Sequence, residues 1–97
     1  MKIWLDDDDT RQVPAGFMHV YSVNEAKALI LKAEEIGETI EVLDLDNDLG
    51  FYNPDGGDGH HLLDWLVETG RLYPVRIHTM NPVERQNMNR TIERFWK

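Results

Sequence analysis

The chain has 97 residues, no cysteine, and 18 acidic against 10 basic residues, for a formal net charge of −8. This length predicts one domain, 1–97, large enough for a single core. The absence of cysteine excludes disulfides, thiolate zinc sites and a cysteine nucleophile. The negative charge disfavours an extended nucleic-acid surface or a membrane surface, since both depend on basic residues. No long apolar run or secretory leader is present, so a cytoplasmic protein is expected.

Hydrophobic periodicity predicts strands over 2–5, 17–21, 40–45 and 75–78. A helix is predicted after Ser22, which with Glu25 forms a capping box, and Gly37 should end it. A second helix is predicted over 59–68, and a third from Asn81-Pro82 to the chain end. The side chains predicted to face the core are Ala26, Leu29, Ile30, Ala33 and Ile36 of the first helix, Leu62, Leu63, Leu66 and Val67 of the second, and Met88, Ile92 and either Phe95 or Trp96 of the third.

The order β, β, α, β, α, β, α predicts a three-layer, Rossmann-like α/β sandwich with a four-stranded, mostly parallel sheet. Right-handed crossovers favour the strand order 2-1-3-4. The connection 9–16 is too short for a crossover helix, so the second strand is either reached by an extended crossing or runs antiparallel. Because one sheet face would then lack a helix, the C-terminal helix is expected to cover it.

Two acidic clusters follow the first and third predicted strands, at 6–9 and at 46–48. The strand order reverses between these two strands, so their carboxyl ends should meet at one crevice. Carboxylate oxygens are the ligands that hard cations prefer, and we expect Mg²⁺ or Mn²⁺ to bind Asp6, Asp7 and Asp46. Solvated strand ends and an Asp-rich turn are the alternative interpretation.

A glycine-rich loop precedes the second helix at 56–59. Backbone N–H groups of such a loop can hold an anion, which makes Gly57 and Gly59 candidate phosphate-binding residues. The alternative is a flexible turn with Asp58 as the helix cap.

The chain resembles the cyclic-phosphate processing receiver domain, a shortened relative of response-regulator receivers, in four segments: 4–7, 45–50, 57–66 and 77–85. The resemblance implies a receiver-like, flavodoxin-like fold that handles cyclic or terminal phosphates of RNA or nucleotides. It also implies cation ligation by Asp6, Asp7 and Asp46 and phosphate contact by Thr79. The chain departs from the pattern at Asn47, often histidine in that family, and at Arg11, which stands later than the expected arginine.

Together these features predict a metal-dependent domain acting on a small phosphate-bearing ligand or an RNA end. His78 or Asp48 would move the proton, since histidine titrates near neutrality. Thr79, Asn81 and Arg85 would bind the phosphate with the glycine loop. The simpler roles are a half-buried structural histidine for His78, a helix cap for Asn81, and a salt bridge to Glu84 or to an acidic loop for Arg85.

Two other functions stay open on the sequence. In the first, Asp46 accepts a phosphoryl group and the domain is a signalling switch, although the lysine of a receiver's fifth strand is missing. In the second, the domain is a non-catalytic module that binds a protein partner. The second alternative predicts no effect of metal.

Overall fold

The computed structural model describes residues 1–96, which form a four-stranded parallel sheet and three α-helices. The strands are β1 (Lys2–Leu5), β2 (Phe17–Val20), β3 (Val42–Leu45) and β4 (Val75–Ile77). The helices are α1 (Val23–Glu35), α2 (Gly59–Glu68) and α3 (Pro82–Phe95), with a short 3₁₀ helix at Gly50–Tyr52. All neighbouring strands pair in parallel in the order β2-β1-β3-β4. The receiver-like α/β class and the strand order are therefore confirmed, and β2 is parallel.

Local sequence explains where the helices begin and end. The Ser22 side chain accepts the Glu25 N–H at 3.0 Å, as the capping box predicts. The Asn81 side chain accepts the N–H groups of Val83 and Glu84, with Pro82 at the first helical position. Gly37 follows α1 with φ of +75°, a conformation that glycine adopts at little cost.

One buried cluster joins the sheet to all three helices. Its sheet side chains come from one face of the strands, and its helical members include Ala26, Ile30 and Ala33 of α1, Leu62, Leu63 and Leu66 of α2, and Met88 of α3. Ile92 and Trp96 pack against the same cluster. Since α3 contacts both α2 and β4, it lies beside α2 on this face.

The position of α3 corrects the prediction that it covers the opposite sheet face. Within residues 1–96 the helices form one layer, and the predicted second helical layer is absent. Val75 and Ile77 of the edge strand pack against the same cluster, and α3 contacts this strand and α2. Burying Met88 there removes apolar area from water without crossing the sheet edge.

Some predicted core positions are less buried than expected, and Trp96 is the aromatic residue of the third helix that packs. Ile36 is 60% exposed because it is the C-terminal cap of α1, where the helical face no longer points at the sheet. Phe95 is exposed, and Trp96 is the aromatic residue that packs, with its indole N–H donating to the Tyr73 carbonyl at 2.7 Å. Leu29 and Val67 are half-buried.

The outer face of the sheet is polar and aromatic. The strand register places Trp4 beside Asp44, and Asp44 beside Arg76. Trp4 is nevertheless 8% exposed, since the edge of the Phe17 ring and the face of the His78 ring contact it. Its Nε1 is buried without a hydrogen-bond partner among the described residues. No helix within 1–96 is long and apolar enough to cross a bilayer.

Candidate functional site

The sheet register brings three site residues together. Leu5 pairs with Leu45, and Leu45 pairs with Ile77, so the residues that follow these three positions are neighbours at one sheet edge. Those residues are Asp6, Asp46 and His78. The Asp46 N–H donates to the Leu5 carbonyl and the His78 N–H to the Leu45 carbonyl, each at 2.9 Å. One potential ligand atom from each of the three lies within 4.8 Å of the others.

His78 is fixed on two sides and on one face. Its Nδ1 lies 2.8 Å from Asp44 Oδ1, and its Nε2 lies 3.2 Å from Asp6 Oδ2. Its ring stacks on Trp4 with centroids 3.9 Å apart and planes 6° from parallel. Asp44 therefore orients the imidazole so that Nε2 faces the acidic cluster. Asp44 is a site residue that the sequence analysis missed, although a charged residue inside an apolar strand was the available signal.

Asp6 is fully buried, and its carboxylate is paired with a positively charged side chain. Arg11 Nη1 lies 3.0 Å from Asp6 Oδ2, and the Asp8 N–H donates to Asp6 Oδ1 at 3.0 Å. The irregular connection between β1 and β2 thus returns an arginine to the site. In the sequence, Arg11 stood out only because it lies later in the chain than the arginine of the family pattern.

Asp46 is buried and its ionised form is disfavoured. Burial raises the pKa of the Asp46 carboxyl above its usual value, and the nearby Asp6 carboxylate raises it further. Hydrogen bonds from the Asn47 N–H, at 2.8 Å to Asp46 Oδ1, and from Thr79 act in the opposite direction. The two adjacent carboxylates offer the oxygen ligands that Mg²⁺ and Mn²⁺ prefer, whereas a histidine nitrogen is an unusual ligand for Mg²⁺.

Asp7 lies at the rim of this cluster. Burial, followed by the charges of Asp6 and Asp8, raises the pKa of its carboxyl. A Cβ added at Gly50 would lie 2.8 Å from Asp7 Oδ2, so the backbone after β3 approaches this carboxylate closely. The compact donor set contains His78 where the sequence predicted Asp7, and ligation by Asp7 stays a prediction.

Asp48 and Asn81 meet on the exposed side of the site. The Asn81 side-chain amide donates to Asp48 Oδ2 at 3.4 Å, and the Asn47 amide donates to Asp48 Oδ1 at 3.2 Å. Asn81 is also the cap of α3, which was its simpler predicted role. Their proposed roles in proton transfer and phosphate binding stay predictions.

The glycine loop is built differently from the predicted anion cradle. The Gly57 N–H donates to the Asn53 carbonyl and the Gly59 N–H to the Asn47 carbonyl, both at 2.7 Å. These N–H groups are engaged with backbone carbonyls, and phosphate binding by Gly57 and Gly59 stays a prediction. Gly59 instead allows close packing, since an added Cβ would lie 1.9 Å from the Asp46 carbonyl oxygen. Asp58 accepts the Leu49 N–H at 3.0 Å and makes no side-chain cap bond to α2.

Asn47 joins α2 to the end of β3. Its buried Oδ1 lies 3.0 Å from both the backbone nitrogen and Nδ1 of His60. This contact gives Asn47 a structural role at the position where the chain departs from the family pattern.

Arg85 and Thr79 lie together after β4. The Arg85 guanidinium donates to the Thr79 carbonyl through Nε at 3.2 Å and Nη2 at 2.8 Å. The expected salt bridge to Glu84 is not formed. Thr79 is buried, with its hydroxyl accepting the Asn81 N–H at 3.3 Å. A positive charge is therefore held beside the residue whose hydroxyl faces Asp46.

Comparison with known protein families agrees with this geometry. The family model described as "Cyclic-phosphate processing Receiver domain" matches residues 1–94. The chain belongs to this family. No curated protein and no solved structure matches the chain. Membership in the cyclic-phosphate processing receiver family confirms the resemblance in the four sequence segments, and the match extends over all four strands.

Proposed function

We propose that this cyclic-phosphate processing receiver domain is a metal-dependent phosphoesterase that opens cyclic phosphates or removes terminal phosphates of nucleotides or RNA ends. The observation that carries the proposal is the convergence of Asp6, Asp46 and His78 within 4.8 Å. The family description gives cyclic-phosphate processing as the general function. Substrate and catalysis are proposals for this chain.

Asp6 and Asp46 would hold a divalent cation, with Asp7 as a further ligand. When bound, the cation polarises a phosphoryl oxygen and offsets the charge developed in the reaction. The two carboxylates are already in place because the strand register fixes their backbone positions. Arg11 contacts Asp6, so its guanidinium lies at the same cluster, where it would pair with a phosphate oxygen through a nitrogen that Asp6 does not use.

His78 is the candidate for proton transfer. In opening a cyclic phosphodiester, water adds to phosphorus, one of the two ring P–O bonds breaks, and the released ribose oxygen takes a proton. An imidazole exchanges protons near neutral pH, and Asp44 keeps the ring oriented. When His78 Nε2 serves in this transfer, it exchanges its contact with Asp6 for one with the substrate. Asp48, on the exposed rim, is the second candidate.

The phosphate would be held by groups after β4. The Thr79 hydroxyl lies beside Asp46, and the Arg85 guanidinium lies beside Thr79. A guanidinium already positioned by the Thr79 carbonyl loses less freedom when it meets a phosphate oxygen than a mobile one.

The test is turnover of a nucleoside 2′,3′-cyclic phosphate with and without Mg²⁺. We expect turnover only with metal, and a decrease of about 10²- to 10⁴-fold in His78→Ala, typical of losing a general acid or base. His61→Ala removes an exposed histidine of α2 and serves as the matched control. Equal turnover in chelator, or an unchanged rate in His78→Ala, would contradict the proposal.

The contact between Thr79 and Asp46 also supports a second candidate function. A buried carboxylate at the end of β3 beside a hydroxyl is the arrangement in which Asp46 would accept a phosphoryl group. In that case a small phosphoryl donor should leave an acyl phosphate, seen as a mass increase in the intact chain and absent in Asp46→Asn. Turnover without this mass increase would leave the phosphoesterase as the function.

A further inference from the structure

Exposed apolar side chains surround the candidate site. Among residues 1–96, the three most exposed large apolar side chains are Phe51 at 90%, Met80 at 79% and Val83 at 63%. All three follow the carboxyl ends of β3 or β4, the same sheet edge that carries Asp46 and Thr79. Single exposed apolar residues are ordinary, but these three share the sheet edge that carries the candidate site.

Phe51 stands at one end of a row of aromatic rings whose other end contacts the backbone of Asp6. Its ring meets the Tyr52 ring edge-on, with centroids 5.5 Å apart and planes at 87°. Tyr52 lies 5.5 Å from Tyr21, and Tyr21 stacks on His19 at 4.1 Å. His19 Nε2 lies 2.8 Å from the Asp6 carbonyl oxygen. Tyr52 thus supports the Phe51 ring, while the 90% exposure leaves the ring surface open.

The backbone places this ring next to the acidic residues. Gly50 lies against the Asp7 carboxylate, where an added Cβ would be 2.8 Å from Oδ2. Adjacent Cα atoms are about 3.8 Å apart, so the Phe51 backbone lies one residue beyond the glycine that this carboxylate approaches. A nucleotide carries its base one ribose away from its phosphate, so a base would leave the acidic cluster on the side where Phe51 follows Gly50.

We propose that Phe51 is the stacking residue for the nucleobase attached to the reacting phosphate, and so determines that the substrate is a nucleotide. This inference rests on the proposed function for its phosphate site. Base stacking on aromatic side chains is the common way in which proteins hold unpaired nucleotides. The net charge of −8 opposes a long phosphate backbone, which favours recognition of one terminal nucleotide over an extended strand.

Binding of a product-like ligand tests the inference without turnover. Adenosine 3′-monophosphate and its abasic ribitol analogue are titrated into the Mg²⁺-loaded full chain, and side-chain and amide shifts are followed by NMR. Phe51→Ala should weaken nucleotide binding about 5- to 150-fold, the equivalent of ~1–3 kcal/mol of stacking per base. Binding of the abasic analogue should not change. Phe51→Trp should retain nucleotide affinity.

Phe95→Ala is the matched control, since Phe95 is an exposed phenylalanine at the far end of α3. Equal nucleotide affinity in the native chain and Phe51→Ala would overturn the inference, as would an equal loss for the abasic analogue or no nucleotide binding at all. Nucleotide binding that depends on Phe51 without turnover would support stacking and refute the phosphoesterase. Turnover of the cyclic nucleotide that is unaffected in Phe51→Ala would refute stacking alone.

A free nucleotide and an RNA end both present a base attached through ribose to a terminal phosphate. A trinucleotide carrying a 3′-phosphate distinguishes these sources. Under the inference both ligands lose affinity in Phe51→Ala, and the tighter ligand identifies the source.

Discussion

At the scale of single residues, the site is defined by carboxylates that the fold buries without fully compensating their charge. Asp6 receives Arg11 and His78, whereas Asp46 has hydrogen bonds from Asn47 and Thr79 and no arginine or lysine within salt-bridge distance among the described residues. The pKa of Asp46 is accordingly raised, first by burial. A bound cation would remove this cost, which connects the stability of the domain to its ligand.

Asp46→Asn should stabilise the metal-free protein near pH 7. The pKa of Asp46 in the folded protein is raised above 3.8, so folding is favoured when Asp46 is protonated. The native chain therefore loses stability as the pH rises through the folded pKa and Asp46 ionises, whereas asparagine cannot ionise. The gain in free energy of unfolding should therefore shrink towards zero as the pH approaches 3.8. Denaturant unfolding in chelator over a pH series measures it.

Asp64→Asn provides the control for net charge, since Asp64 is an exposed carboxylate on α2. A gain that is equal in the two variants, or that does not change with pH, would show that burial of Asp46 is not its cause. With saturating Mg²⁺ the sign should reverse, because the native chain alone keeps the second carboxylate.

At the scale of elements, the parallel sheet and its order follow from the alternation of strands and helices. The meeting of Asp6 and Asp46 follows from that order and was predictable. The position of α3 was not predictable. The amphipathic pattern of Met88 and Ile92 indicates that one face of the helix is buried, but it does not indicate which element that face packs against. The direction of β2 was also open, since the connection 9–16 has no periodicity.

Met88→Ala tests the observed packing of α3. Met88 is 1% exposed within the common core, and removing a buried methionine side chain typically costs ~2–5 kcal/mol. That is a large share of the 5–15 kcal/mol typical of a domain, so roughly such a fall in unfolding free energy is expected. Val83→Ala, at a 63% exposed position of the same helix, should cost about 0.5 kcal/mol or less. Equal effects of the two substitutions would refute this packing.

At the scale of the whole molecule, the site occupies one edge of a strongly acidic domain. The net charge of −8 attracts cations and repels free phosphates, so the proposed phosphate chemistry would need a bound cation. The sheet's outer face, with Trp4, Asp44 and Arg76, carries no helix among the described residues and ends at His78. Sequence periodicity identified these strands as buried but could not show that Asp44 would orient His78, because that contact depends on side-chain placement between β3 and the residue after β4.

The most direct test of the account is a Mg²⁺ titration of the full chain followed by amide chemical shifts at constant ionic strength. We expect saturable shifts concentrated at Asp6, Asp46 and His78 and at their immediate chain neighbours, and their loss in Asp46→Asn. Shifts spread evenly over the exposed acidic residues, or unchanged in Asp46→Asn, would contradict a cation site at the end of β1 and β3.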